Sequence, residues 1–195
     1  MEISIAQYMH CSKSNGVGKR SVIWLQGCDN RCIKCCNPQF QEFKHIPVNI
    51  EEISQTIIKD FATYNLRGIT LSGGEPLHDQ HTASLKQLID IIRKNVNLDI
   101  LAFSGYPEKY IIDNLSWVND YIDLIIAGPF EYNLKHNAGI IASTNQSIMR
   151  LSNKFDDVTD EQLWNNKRII ETHVKADGEM IITGLIDPSD CNYPS

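Results

Sequence analysis

The stretch Ser21–Cys36, SVIWLQGCDNRCIKCC, changes character halfway along. Ser21 to Gln26 is rich in β-branched and aromatic residues and reads as a buried strand. Gly27 ends that run. Cys28, Cys32, Cys35 and Cys36 then place four of the chain's six cysteines within nine residues. A buried strand that empties into a thiol-rich loop makes the neighbouring strands decisive, because they determine what the thiols face.

Downstream, apolar runs of strand length alternate with amphipathic stretches of helix length. NIEEISQTIIKDFATYN puts Ile50, Ile53, Ile57, Ile58 and Phe61 on one helical face, with Asn49 as cap. RGITLSGG is a short strand ending in glycines. DQHTASLKQLIDIIRKNV is a helix opened by Asp79, with Leu85, Leu88, Ile89 and Ile92 as its stripe. LDILAFSG is a third strand, EKYIIDNLSWV a helix and YIDLIIAGP a fourth strand. A polar loop of about 15 residues follows, longer than most connections and so a place to look for function. SIMRLS is a further strand and DEQLWNNKR a short helix. IIETHVKADGEMIITGLID reads as a β-hairpin turning at Asp177–Gly178, with Met180 and its strand in the core. Such alternation predicts an α/β fold with a mostly parallel sheet and a C-terminal hairpin. In these sheets ligands sit at the carboxyl ends of the strands. The cysteine loop, SGGEP, SGYPE and AGPF each follow a strand, so all four are expected at one edge.

The chain has 195 residues, 42% of them hydrophobic and 22% charged, which suits one domain spanning 1–195. A formal net charge of −6 argues against a nucleic-acid module held by phosphate contacts. No apolar run approaches the roughly 18 residues of a membrane span. MEISIAQYMH lacks the basic flank and apolar centre of a signal peptide. The expected compartment is the cytoplasm, where thiols stay reduced and clustered cysteines read as metal or redox ligands.

Cys28, Cys32 and Cys35 have the spacing C-x3-C-x2-C. Three readings stand. The thiols are a chance cluster of buried residues. Or they belong to a structural zinc site, which needs a fourth ligand from Cys36, Cys11, Cys191 or His10. Or they hold an iron–sulfur cluster through three soft thiolates, leaving one iron open to a substrate.

The trio, followed by Asn37-Pro38, resembles the signature of the radical S-adenosylmethionine (SAM) superfamily. Gly73-Gly74-Glu75-Pro76 resembles that superfamily's SAM-binding motif, in the place expected after a strand. FSGYPE resembles the third-strand loop of its small activases. DLIIAGPF with ASTNQSIMRLS resembles the later half of the activating enzymes of anaerobic ribonucleotide reductase. This resemblance implies a partial (β/α) barrel with an incomplete wall. It implies a [4Fe–4S] cluster on Cys28, Cys32 and Cys35 that chelates SAM, cleaves it after one-electron reduction and yields a 5′-deoxyadenosyl radical. Gly73, Gly74, Glu75 and Pro76 are the expected SAM loop: the glycines admit the methionyl group and Glu75 accepts from its ammonium. Ser104 is expected near the ribose or methionyl group, and Asn145 with Gln146 near SAM or substrate. The implied partners are a glycyl-radical enzyme and a low-potential electron donor such as flavodoxin or ferredoxin. An alternative keeps the cofactors and acts directly on a small molecule, nucleoside or peptide. A structural zinc-binding module is the reading from another class. The chain departs from the superfamily pattern at Lys34, where an aromatic residue is frequent, at Cys36, where an aromatic residue or His is frequent, at Ala127, where the activases commonly carry an acid, and at Ala142, where glycine is usual.

Four further features stand apart. NGVGKR, Asn15 to Arg20, has the look of a phosphate loop, but it lacks the full motif and reads as a hairpin turn into a strand, with a basic substrate-facing loop as the alternative. His78 and His81 cap or flank the helix near GGEP. Arg150 either meets the SAM carboxylate or makes a surface salt bridge. Cys11 and Cys191 read as free thiols, either available as a redox or hydrogen-donor cysteine.

Overall fold

The computed structural model describes residues 1–174, 178 and 180–185. Seven strands form one sheet: Glu2–Ser12 (β1), Arg20–Leu25 (β2), Pro47–Asn49 (β3), Gly68–Gly73 (β4), Asp99–Ser104 (β5), Leu124–Ala127 (β6) and Ser147–Arg150 (β7). Their spatial order is β3-β1-β2-β4-β5-β6-β7. The four central strands β2, β4, β5 and β6 are parallel. Antiparallel strands flank them on both sides. A separate antiparallel hairpin joins Glu171–Val174 (β8) to Met180–Thr183 (β9). Asp177, half of the expected turn, lies outside the described residues, as does Cys191.

The strand expected to come first is therefore the second. β1 escaped the sequence reading because its Ile3 and Ile5 alternate with polar residues, and half of it stays partly exposed. It pairs with β2 through a turn at residues 13–19, so NGVGKR is indeed a hairpin connection.

Among the described residues, five α-helices link or follow the strands: Ile50–Tyr64 (α1), Asp79–Arg93 (α2), Glu108–Asn114 (α3), Val118–Tyr121 (α4) and Asp160–Asn165 (α5). Among the described residues, no helix is long and apolar enough to cross a membrane. Asn49 caps α1 by accepting from the N–H groups of Glu51 and Glu52, and Asn65 ends it in the left-handed conformation. His78, rather than Asp79, caps α2 by accepting from Gln80 N–H. Asp79 instead complements the helix dipole from the first turn.

Each central strand is buried on both faces, which is why each reads as a continuous apolar run. Ile23, Leu25, Ile69, Leu71, Ile100 and Ile125 pack with the α1 and α2 stripes. On the other face Leu101, Leu124 and Ile126 meet Ile141, Phe155 and Leu163, while Val22 and Trp24 meet Phe40. Met180 corrects the expectation that its strand is core throughout. It is 65% exposed, because alternation points Ile181 and Thr183 inward and Met180 and Ile182 outward.

The amino ends of the parallel strands are closed by charge. Arg20 is fully buried, donates to Thr70 Oγ1 at 2.8 Å and pairs with Asp99 at 2.6 Å. Asp99 also pairs with Arg67 at 2.6 Å, and both guanidinium groups lie over the Phe155 ring. Arg150 belongs to this end too. It sits opposite Leu124, away from the cysteine loop, and bonds Asp160 and the carbonyls of Phe155 and Val158. The salt-bridge reading of Arg150 is the one that holds.

Candidate cluster and cofactor site

Because β2, β4, β5 and β6 are parallel, their carboxyl ends deliver the cysteine loop, Gly73–Pro76, Gly105–Pro107 and Gly128–Phe130 to one edge. Hydrogen bonds at its two ends close the cysteine loop: Gly27 N–H donates to Phe40 O at 2.8 Å and Cys28 N–H to Gln41 O at 3.0 Å. Within it, Arg31 and Lys34 take left-handed φ of 50° and 55°, and Cys35 N–H turns back to Cys32 O. Lys34, which replaces the frequent aromatic residue, rests its ammonium 3.8 Å from the Tyr132 ring centre, tying the loop to the segment after β6.

Cys28, Cys32, Cys35 and Cys36 all line one cavity of about 530 Å³, together with Gly73, Gly74, Glu75 and Ser104. Burial pushes the Cys28 and Cys32 thiols up. A hydrogen bond from Cys36, reinforced by Asn37 N–H, holds the Cys35 thiol below its ordinary range, and the same contact pushes Cys36 up. Thiols held protonated by burial become ligands when a metal displaces the proton. Among the described residues, no three His, Cys, Asp or Glu side chains converge as ligands of a single ion do. The thiols are instead spread around a shared cavity. This donor set suits a polynuclear cluster, in which soft thiolates bind different irons, better than one tetrahedral zinc.

The glycines of GGEP serve the protein's own backbone. Gly73 has φ 105°, and Gly74 N–H donates to Leu25 O at 2.8 Å. Glu75 N–H donates to Gly27 O at 2.8 Å. A Cβ on Gly74 would overlap the Gly27 carbonyl, and one on Gly73 would meet the Leu25 backbone at 2.5 Å. Close approach is therefore required between this loop and the cysteine loop. Pro76 is buried behind Glu75 and does not line the cavity.

Glu75 is 1% exposed and its carboxylate accepts four donors. They are Leu77 N–H at 3.0 Å, Ser104 Oγ at 2.8 Å, Gly105 N–H at 2.7 Å and Asn30 Nδ2 at 3.0 Å. Asn30 Nδ2 also reaches Cys28 Sγ at 3.7 Å. One side chain thus joins three of the loops, and Ser104 enters the site through it. Sequence reasoning missed Asn30; its only signal was its place inside the cysteine loop. Also missed were the apolar walls Trp24, Phe40, Phe103 and Phe130, and the stretch 181–185, which brings the hairpin to the cavity. Asn145 is exposed and braces the Gly128–Phe130 turn by donating to Pro129 O at 2.8 Å, whereas its neighbour Gln146 lines the cavity.

Burial raises the Glu75 carboxyl from 4.5 to about 7, against the hydrogen bonds from Leu77, Ser104 and Gly105 that favour its charge. A raised carboxyl binds its proton more tightly in the folded chain. Its stabilising contribution is complete below pH 4.5 and is lost as pH rises through about 7. The cluster-free protein is expected to lose roughly 3 kcal/mol across that window. Glu75→Gln should flatten the slope in thermal unfolding, since nothing titrates there; identical pH slopes in the two proteins would remove Glu75 as the cause.

A family model described as a 4Fe-4S single cluster domain matches residues 14–149. Three similar relatives are each called anaerobic ribonucleoside-triphosphate reductase-activating protein. The one from Salmonella typhimurium is 30% identical over 149 residues, covering 74% of this chain and 97% of the relative. That from Vibrio cholerae is 28% identical over 127 residues, 64% of this chain and 82% of the relative. That from Enterobacteria phage T4 is 28% identical over 143 residues, 71% of this chain and 88% of the relative.

Proposed function

Because the chain belongs to the 4Fe-4S single cluster domain family, within the radical SAM superfamily, we propose that it is an activating enzyme that installs a glycyl radical on a partner protein. The observation that carries this reading is the physical union of two loops at one cavity. The cysteine loop and the GGEP loop share backbone hydrogen bonds, and Asn30 links Cys28 to Glu75. When bound, a [4Fe–4S] cluster and SAM supply one-electron cleavage of a C–S bond, giving methionine and a 5′-deoxyadenosyl radical that abstracts a hydrogen atom. In this reading residues 1–195 act as one radical SAM domain.

Cys28, Cys32 and Cys35 hold the cluster, and Cys36 supports Cys35 through its thiol. Gly73, Gly74 and Glu75 shape the SAM side of the cavity, with buried Pro76 holding the loop outside the cavity wall and Glu75 fixing Ser104 and the Gly105 amide. Asn145 holds the Gly128–Phe130 turn that faces them. Trp24, Phe40, Phe103 and Phe130 keep water from the reacting centre, which a radical intermediate requires. The named activity of the relatives makes anaerobic ribonucleotide reductase the first partner to try, with flavodoxin or ferredoxin as electron donor.

The test is to incubate the reduced, reconstituted protein with SAM and that reductase. A doublet glycyl signal in electron paramagnetic resonance is expected, and SAM turnover without any such signal would reject the partner reading. A second reading, direct action on a small molecule, is favoured by the residues Ile181 to Leu185, which add a further wall to the cavity. Transfer of deuterium from a labelled small substrate into 5′-deoxyadenosine would select it.

A further inference from the structure

A second cavity, of about 350 Å³, opens beside the first and shares Ser14, Ile140 and Leu185 with it. Its wall carries Lys13, Lys19, Lys167 and Arg168 and, among the described residues, no aspartate or glutamate. Four cations around one pocket are out of keeping with a chain of net charge −6. None of them is ion-paired among the described residues. Lys19 Nζ reaches only the Tyr64 carbonyl, at 3.3 Å, and Arg168 donates only to carbonyls, including Ile141 O at 2.7 Å. Glu171, next to the pocket, accepts at Oε2 from Ser12 Oγ and the Lys13 and Ser14 amides.

The floor is the turn Asn15–Lys19. Its alternate carbonyls are held by the protein. Asn15 O accepts from Thr70 Oγ1 at 2.7 Å, Val17 O from buried Arg20 at 3.2 Å and Lys19 O from Arg67 N–H at 2.8 Å. Among the described residues, the N–H groups of Gly16, Val17, Gly18 and Lys19 donate to nothing. Gly16 and Gly18 have φ of 133° and 76°, conformations glycine permits. A run of unbonded amides in such a turn is an anion cradle. A plain hairpin connection needs neither the free amides nor the four cations.

We propose that this turn, with Lys13, Lys19, Lys167 and Arg168, binds the phosphate group of a small phosphate ester or polyphosphate whose remaining atoms extend toward the cysteine-lined cavity. The pocket is larger than a phosphate ion alone, and pockets of this size take small organic ligands. The proposal stands apart from the glycyl-radical reading: binding is measured without partner or turnover.

The experiment is isothermal titration of the anaerobically reconstituted full chain, saturated with SAM, against pyrophosphate, ribose 5-phosphate and ribose. Pyrophosphate and ribose 5-phosphate are expected to bind and ribose to give no heat. The double substitution Lys19→Glu with Lys167→Glu lies on exposed positions. It should weaken both phosphates at least about tenfold while leaving the circular dichroism spectrum and thermal unfolding unchanged. If that variant fails to fold, loss of binding with rising salt and competition by pyrophosphate against ribose 5-phosphate give the same answer. No binding of either phosphate, equal binding by the folded variant, or capture of a polyglutamate peptide where pyrophosphate is silent would each overturn the assignment.

Discussion

Alanine at Cys28, Cys32 or Cys35 is expected to leave a folded, colourless protein that no longer cleaves SAM. The three thiols line one cavity and stand on a loop closed at both ends by backbone hydrogen bonds. Losing one sulfur should therefore remove a ligand without dismantling the loop. Members of a unit that works only when complete each cost nearly the whole effect, so SAM cleavage should fall by about three orders of magnitude or more. Iron and sulfide analysis after anaerobic reconstitution gives a readout independent of turnover. The broad absorbance at about 400 nm typical of iron–sulfur proteins should vanish with the metal. Cys36→Ala and Cys11→Ala are the controls. Cys36 touches Cys35 and Cys11 lies in β1, and both variants should keep the cluster. A Cys36→Ala protein without iron beside a Cys35→Ala protein with it would mean that the ligand trio is misassigned.

Gly74→Ala is expected to be the most damaging change outside the cysteines. Its methyl group would overlap the Gly27 carbonyl and crowd Phe40 O, and both partners are backbone that cannot rotate away. Overpacking against fixed backbone costs about 3 kcal/mol, a fall in Tm of roughly 10 °C for a chain of this size. Relief is available by moving the GGEP loop off the cysteine loop. That would break the bonds from Gly74 to Leu25 O and from Glu75 to Gly27 O, so SAM affinity should fall even at temperatures where the chain stays folded. The comparison is Gly178→Ala, where a Cβ would meet nothing within 4 Å and only the backbone strain of a φ of 89° remains, so Tm should fall less and SAM binding should persist. A Gly74→Ala protein with wild-type Tm and SAM binding would show that the two loops are not coupled through this contact.

The elements that sequence reading recovered best share a physical cause. β2, β4, β5 and β6 are buried on both faces, so apolar residues dominate them, and the buried polar residues Arg20, Thr70 and Asp99 at their amino ends are paired. The α1 and α2 stripes repeat because each helix buries one side against that sheet. β1 is an outer strand with mixed burial and was passed over. The hairpin was recognised by its turn and strand composition, but composition does not say which face is covered, and Met180 proved to be outside.

By itself, then, the sequence determined the α/β plan, the thiol spacing and the expectation that four loops meet at one edge, because these depend on local pattern and on the rule that parallel strands end together. Tertiary structure alone decided what the loops do to one another. Glu75 turned out to bind Ser104, Gly105 and Asn30, and Gly74 to press on Gly27. Arg150 proved to lie at the end of its strand away from the cysteine loop, and residues 16–19 to line a basic pocket. Such contacts join residues tens of positions apart, and no short-range periodicity encodes them.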